Sequence, residues 1–301
     1  MKNFSTLFLT VILSLLLNYS ASAFESKVIT GHLQEHMQTL KSDELIRVNI
    51  TLNEQFDSQN LIKQAQSMQG EVRRQYVISV LKDFAAATQG GVLAELNQLQ
   101  RSNAVEKVTT YWIANVINCY ATPAAIRELE KHADISSIDY DEYRILLDPN
   151  EWKNAVAEEG NTASREITWN VLKVNADDVW ALGYNGEGVI VSVIDTGVNY
   201  DHLDLEDHVW ESDEYPNHGY DFVNNDNDPN DDHGHGTHCA GTVSGDGTAG
   251  SQTGVAPEAT VMCLKVLDSG GGGNESGVWS SVEFSVENGA HVMSLSLGWQ
   301  H

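Results

Sequence analysis

The chain has 301 residues, is 41% hydrophobic and carries 43 acidic against 17 basic side chains, for a formal net charge of −26. That length and apolar fraction suffice for two domains with sizeable cores and exclude a disordered chain. The charge disfavours nucleic acid and anionic membrane as partners and attracts cations. It is also unevenly spread: after Lys173 the one basic residue is Lys265, while carboxylates crowd residues 201–232.

Lys2, an apolar run over residues 7–17 and a small-residue exit at Ala21-Ser22-Ala23 have the layout of a secretory signal peptide, residues 1–23. A spanning helix needs about 20 apolar residues, and this run is about half that. The sequence therefore predicts cleavage and export, to the medium, the periplasm or the cell surface, with no membrane anchor in the mature chain. The three cysteines, Cys119, Cys239 and Cys263, lack metal-ligand or Cys-x-x-Cys spacing and compose no disulfide framework.

Residues 24–150 read as a small α+β domain. Ile46, Val48, Ile50 and Leu52 alternate as in a half-buried strand, and Tyr76, Val80, Leu81 and Phe84 recur at helical spacing. A second strand is predicted over residues 111–119. Thr122-Pro123 reads as an N-cap with proline at the first helical position, followed by a helix over 124–131 and a last strand over 135–140. Strand, helix, helix, strand, helix, strand is a ferredoxin-like pattern. Residues 151–168 read as a polar, Glu-rich linker where processing is expected. From residue 169 to 301 a short helix (175–182), a turn at Asn185-Gly186 and a strand (189–194) are followed by a strand (260–267), a helix (277–288) and a strand (291–297). This alternation predicts an α/β fold with a doubly wound, mostly parallel sheet.

Two segments about forty residues apart carry the chemistry. Val191-Ser192-Val193-Ile194-Asp195-Thr196-Gly197 is a β-branched run ending in an acid, which sets Asp195 at the carboxyl end of a buried parallel strand, where open α/β sheets place their sites. His233-Gly234-His235-Gly236-Thr237-His238-Cys239-Ala240-Gly241 puts His235 where a Gly-rich turn enters a helix. Together, in this order, they resemble the subtilisin-like serine peptidases, or subtilases, whose triad runs Asp, His, Ser. The resemblance covers residues 169–299. It implies a secreted endopeptidase precursor in which Asp195 orients His235, the general base, and a serine attacks the peptide carbonyl. The family's serine lies roughly 150 residues beyond the histidine in a Gly-Thr-Ser-Met-Ala segment. Here the sequence reaches only His301, and its nearest comparable string, Gly247-Thr248-Ala249-Gly250-Ser251, lacks the apolar helix that should follow. The expectation is thus the amino-terminal part of a longer enzyme, inactive alone, with nucleophile and side-chain oxyanion donor further on. The competing reading is a non-catalytic inhibitor or folding chaperone acting through residues 45–147.

The resemblance also implies that Gly271, Gly272 and Gly273, with Ser296, Leu297 and Gly298, flank a polypeptide substrate as strands. The chain's own propeptide, residues 24–150, would then inhibit by laying its last strand and the tail after Leu147 along that groove. Trp299 replaces a small residue common in relatives. The oxygen-rich run from Asp221 to Asn230 suits a hard cation. It resembles the calcium loop of thermitase-like subtilases, which implies Asp221, Asp226, Asp228 and Asn230 as ligands, with Asn224 where relatives carry an acid. Asp204 resembles a ligand of another family calcium site. Cys239, one helical turn past His235, matches a cysteine of the proteinase K and thermitase-like branch and should be a small buried residue, and His238 a packed one. Asp-Thr-Gly also marks aspartic peptidases, but those are all-β. A transition-metal site at His233, His235 and His238 with Asp231 and Asp232 is disfavoured, because that spacing does not put three imidazoles on one helical face.

Overall fold

The computed structural model describes residues 28–147 and 166–298. The signal peptide, the expected processing segment and Trp299 lie outside the described residues, apart from residues 166–168 of the linker. Among the described residues no helix is long and apolar enough to cross a membrane.

The chain forms two compact units. One comprises residues 28–54, 88–108 and 119–140; the other comprises 55–87, 109–118 and the described residues from 141 onward. This division departs from a single boundary near residue 150. The reason is that segments 55–87 and 109–118 bond to the later part of the chain. Lys82 pairs with Glu287, and the Glu283 carboxylate accepts the amides of Trp112 and Ile113 at 2.6 and 3.0 Å.

The first unit begins with α1 (Gly31–Met37), capped by the Thr30 hydroxyl, a helix the periodicity did not mark. Along the chain, strand β1 (Ile46–Leu52) is followed by α2 (Ser58–Ala65) and the 32-residue α3 (Gly70–Arg101), which up to residue 87 belong to the second unit, and then by β2 (Val105–Tyr111), β3 (Val116–Ala121), α4 (Pro123–Leu129) and β4 (Ile135–Tyr140). The sheet order is β2-β3-β1-β4, with β1 and β4 antiparallel in the register Ile50 to Ile138. As expected, Thr122 caps α4 through its hydroxyl and Pro123 takes the first position, where a missing N–H costs nothing. The single strand read over 111–119 is broken by a turn at residues 112–115, its later part being β3. Asn115 adopts a left-handed conformation (φ 48°) between β2 and β3, a state asparagine tolerates better than most residues.

The second unit holds β5 (Arg144–Ile145), α5 (Trp169–Lys173), α6 (Ala176–Ala181), β6 (Ile190–Asp195), β7 (Gly219–Asp221), α7 (His235–Ser244), β8 (Thr260–Lys265), β9 (Gly272–Gly273), α8 (Glu275–Glu287) and β10 (Val292–Ser294). Its main sheet has the order β10-β6-β8-β7, and each adjacent pair is parallel. Side chains alternate between two cores. Ile194, Met262 and Leu264 pack with Phe284 of α8, whereas Val193, Val261 and Cys263 pack with Ala240 of α7. Helices therefore cover both faces, which is why β6 and β8 read as unbroken apolar runs. The register sets Asp195 opposite Lys265 at the carboxyl ends of these two strands.

Candidate active site

Asp195, the last residue of β6, is 1% exposed. Its Oδ1 accepts the Thr196 amide at 2.8 Å and lies 2.7 Å from His235 Nδ1. Its Oδ2 is buried with no hydrogen-bond partner among the described residues. A carboxylate facing Nδ1 puts the proton on that nitrogen and leaves Nε2 for another group. The Asp195 hydrogen bond, seconded by the Cys239 thiol, raises the His235 pKa to about 10 against the opposing effect of burial.

This close approach is secured by two glycines. A Cβ on Gly236 would collide with the Gly197 carbonyl, and one on Gly197, itself at φ 101°, would come within 2.5 Å of the Pro229 carbonyl. The helix carrying His235 is started by a neighbouring acid. Asp231 Oδ1 accepts the Thr196 hydroxyl and the His233 and Gly234 amides, while Oδ2 accepts the Thr237 amide and hydroxyl. The Thr196 hydroxyl in turn accepts the Gly236 amide at 2.9 Å. Although burial pushes the other way, these donors hold the Asp231 carboxyl below its usual range.

Lys265 is 1% exposed, and its ammonium donates to the Thr196 carbonyl (2.6 Å), Asp232 Oδ1 (2.6 Å) and the Leu267 carbonyl (2.9 Å). It thus ties the end of β6 to the approach to α7 and to the chain leaving β8. Sequence reasoning gave Lys265 no role and weighed Asp231 and Asp232 only within a disfavoured metal site. A usable signal existed for the lysine, the one cation after Lys173, set at the end of an apolar strand.

Cys239 is half-buried rather than fully packed away, with Sγ 3.8 Å from His235 Nδ1. Burial raises its pKa, but hydrogen bonding to His235, His238 and Ser296 outweighs this and lowers it. His238, expected to be packed, is exposed because it sits on the outer side of α7.

The groove residues fall into one region. β9 pairs antiparallel with β5, Arg144 opposite Gly273 and Ile145 opposite Gly272. The Leu146 and Leu147 amides both donate to the Gly271 carbonyl, and the Gly298 amide donates to the Leu146 carbonyl. Leu297 packs on the core cluster that contains Leu146 and Leu147, and Ser296 reaches Cys239.

The carboxylates of the acidic loop accept hydrogen bonds from residues close by in the fold. Asp221 accepts the Val223 and Asn224 amides and the Asn224 side-chain amide, Asp226 accepts the Asp228 amide, and Asp228 accepts the Tyr200 hydroxyl. Asn230 turns its carbonyl toward Gly197. Asp204 belongs to a separate group, its Oδ1 accepting the Ala249 amide. Among the described residues, the one trio of acid, histidine or cysteine side chains with ligand atoms within 4.8 Å of one another is Asp195, His235 and Cys239. Asp221, Asp226 and Asp228 do not form such a trio as placed.

Comparison with known proteins bears on this arrangement. Residues 186–301 match the model described as the subtilase family. The chain is 47% identical over 134 residues to the minor extracellular protease Vpr of Bacillus subtilis (strain 168), covering 42% of this chain and 16% of that protein. It is 29% identical over 293 residues to bacillopeptidase F of the same organism, covering 90% of the chain and 20% of the relative. Over 129 residues it is 36% identical to thermitase of Thermoactinomyces vulgaris, covering 42% and 43% of the two. The chain thus spans less than half the length of each of these relatives.

Proposed function

Since the chain belongs, through residues 186–301, to the subtilase family of serine peptidases, we propose that it is the amino-terminal part of an exported endopeptidase precursor. Residues 1–23 would be the signal peptide, 24–150 an inhibitory propeptide, 151–168 the processing region and 169–301 the first part of the catalytic domain. The sheet order β2-β3-β1-β4 supports a ferredoxin-like propeptide. The observation that carries the function is the 2.7 Å contact between Asp195 and His235 Nδ1 at the carboxyl edge of a parallel sheet.

In the reaction, a serine supplied further along the polypeptide attacks a peptide carbonyl while the neutral form of His235 takes its proton at Nε2. Asp195 holds the imidazole through Nδ1 and stabilises the imidazolium as it forms. His235 then returns the proton to the leaving amine. Substrate polypeptide binds as a strand against Gly271–Gly273 and Gly298. The pairing of the chain's own Arg144–Ile145 with β9 favours an inhibited precursor state and also supports the inhibitor reading, in which residues 45–147 block a mature subtilase. Expression of the precursor extended through its serine tests the proposal. Casein hydrolysis and labelling by a serine-directed phosphonate should appear, and Asp195→Asn and His235→Ala should each lower kcat by at least about a thousandfold. Full activity in either variant would overturn the assignment.

A further inference from the structure

We infer that the groove carries a tyrosine-reading subsite, built from Asp268 and Gly272, for peptides with Tyr placed four residues before a leucine that packs at Gly271. This rests on the peptidase reading and narrows its substrate from polypeptides in general to a sequence class. The chain's own residues 143–147 serve as the bound peptide. Arg144 and Ile145 pair with Gly273 and Gly272, and the Leu146 and Leu147 amides bond the Gly271 carbonyl at 2.9 and 3.2 Å.

Ahead of that strand the Tyr143 hydroxyl donates to Asp268 Oδ2 at 2.8 Å. The other carboxylate oxygen accepts the Gly270 amide at 2.8 Å and the Gly272 amide at 3.3 Å, so the loop itself aims Oδ2 outward. Gly272 has no positive φ to explain its lack of a side chain. What explains it is the tyrosine: a Cβ there would fall on the Tyr143 hydroxyl and ring. At the other end Leu146 and Leu147 are 6% and 8% exposed, packed in a cluster with Val266 and Leu267. The groove therefore reads a hydroxyl at one end and apolar bulk at the other. Burial and the Asp268 hydrogen bond raise the Tyr143 pKa, so the donor form is kept. The carboxylate should also disfavour Asp or Glu in the tyrosine's place.

Because Tyr143 is 48% exposed, the hydrogen bond is partly replaced by water when lost, and its effect is moderate. Hydrogen exchange at the Leu146 and Leu147 amides of this chain reads the contact without any need for catalysis. Tyr143→Phe and Asp268→Asn should each speed exchange by about three- to tenfold, and the double variant by no more than the larger single. Unchanged exchange in Tyr143→Phe, or effects that multiply, would overturn the contact. The full-length enzyme should then cleave Tyr-Arg-Ile-Leu-Leu peptides with kcat/KM about three- to tenfold above the Phe analogue, a ratio falling to one in Asp268→Asn. An active enzyme showing no such ratio would refute the subsite alone. A full-length protein that hydrolyses no peptide would refute the peptidase reading and with it the substrate, while the exchange result still decides the contact.

Discussion

Replacing either member of the Lys265–Asp232 pair should have unequal costs, and the inequality follows from where the two ends lie. The lysine side chain is 2% exposed and the aspartate side chain 52%. In Lys265→Met the Asp232 carboxylate simply rehydrates. The loss falls on the buried Thr196 and Leu267 carbonyls, at about 1–3 kcal/mol each, and is offset by no longer having to desolvate an ammonium ion. A net cost of about 1–3 kcal/mol is expected. Asp232→Ala instead leaves the buried ammonium without its paired carboxylate, which costs about 3–5 kcal/mol. Once methionine is present, adding Asp232→Ala should cost no more than about 0.5 kcal/mol, the scale of an ordinary surface change. Residue-resolved hydrogen exchange at the Val193 and Ile194 amides is the suitable assay, since a chain of two compact units need not unfold in one step. If Asp232→Ala proved no worse than Lys265→Met, or if the two effects added, the clamp would not hold the end of β6.

The His235 pKa of about 10 makes a pH prediction whose sign is fixed. A raised histidine pKa adds stability fully present below the unfolded value of about 6.5 and lost as pH rises through about 10. Stability of the second unit should therefore decline across that window. In an NMR titration of the imidazole, Asp195→Asn should lower the pKa most and Cys239→Ala less; no change in either would refute the assigned causes. Gly236→Ala should break the Asp195–His235 contact by driving a methyl into the Gly197 carbonyl. Survival of the downfield Nδ1 proton in that variant would show that the backbones have room to part. For the acidic loop, carboxylates that must first surrender their own hydrogen bonds should bind calcium no tighter than about 0.1 mM. Submicromolar affinity by calorimetry would show that the loop rearranges into a cage.

What could be read from the chain was whatever depends on local pattern. The run ending at Asp195 is continuous because β6 is covered on both faces, and a parallel strand of that kind has its functional end at the carboxyl side. Thr122-Pro123 starts α4 because the hydroxyl and the fixed proline φ act within one turn. The turn between β2 and β3 was hidden, since the residues from Tyr111 to Ile113 look like strand and one asparagine at positive φ redirects the chain. The position of Lys265 could not be read at all from spacing. It lies opposite Asp195 only because β6 and β8 pair in one particular parallel register.

The same distinction separates Asp195 and His235 from the residues that position them. Asp195 and His235 are both at the ends of regular elements, so the sequence marks them through the strand and the helix they bound. Asp231, Asp232 and Thr196 lie in loops, and their roles come from hydrogen bonds that close only after the sheet and α7 are assembled. The crowding of acids before His235 looks like a solvated surface or a cation loop when read as composition. In the fold those acids divide by the partners they find. Asp231 is turned inward to start the helix of His235, Asp232 balances the buried ammonium behind Asp195, and the acids of residues 221–228 brace their own loop. Net charge alone could not have separated these uses, because each depends on which oxygen finds a donor rather than on how many carboxylates are present.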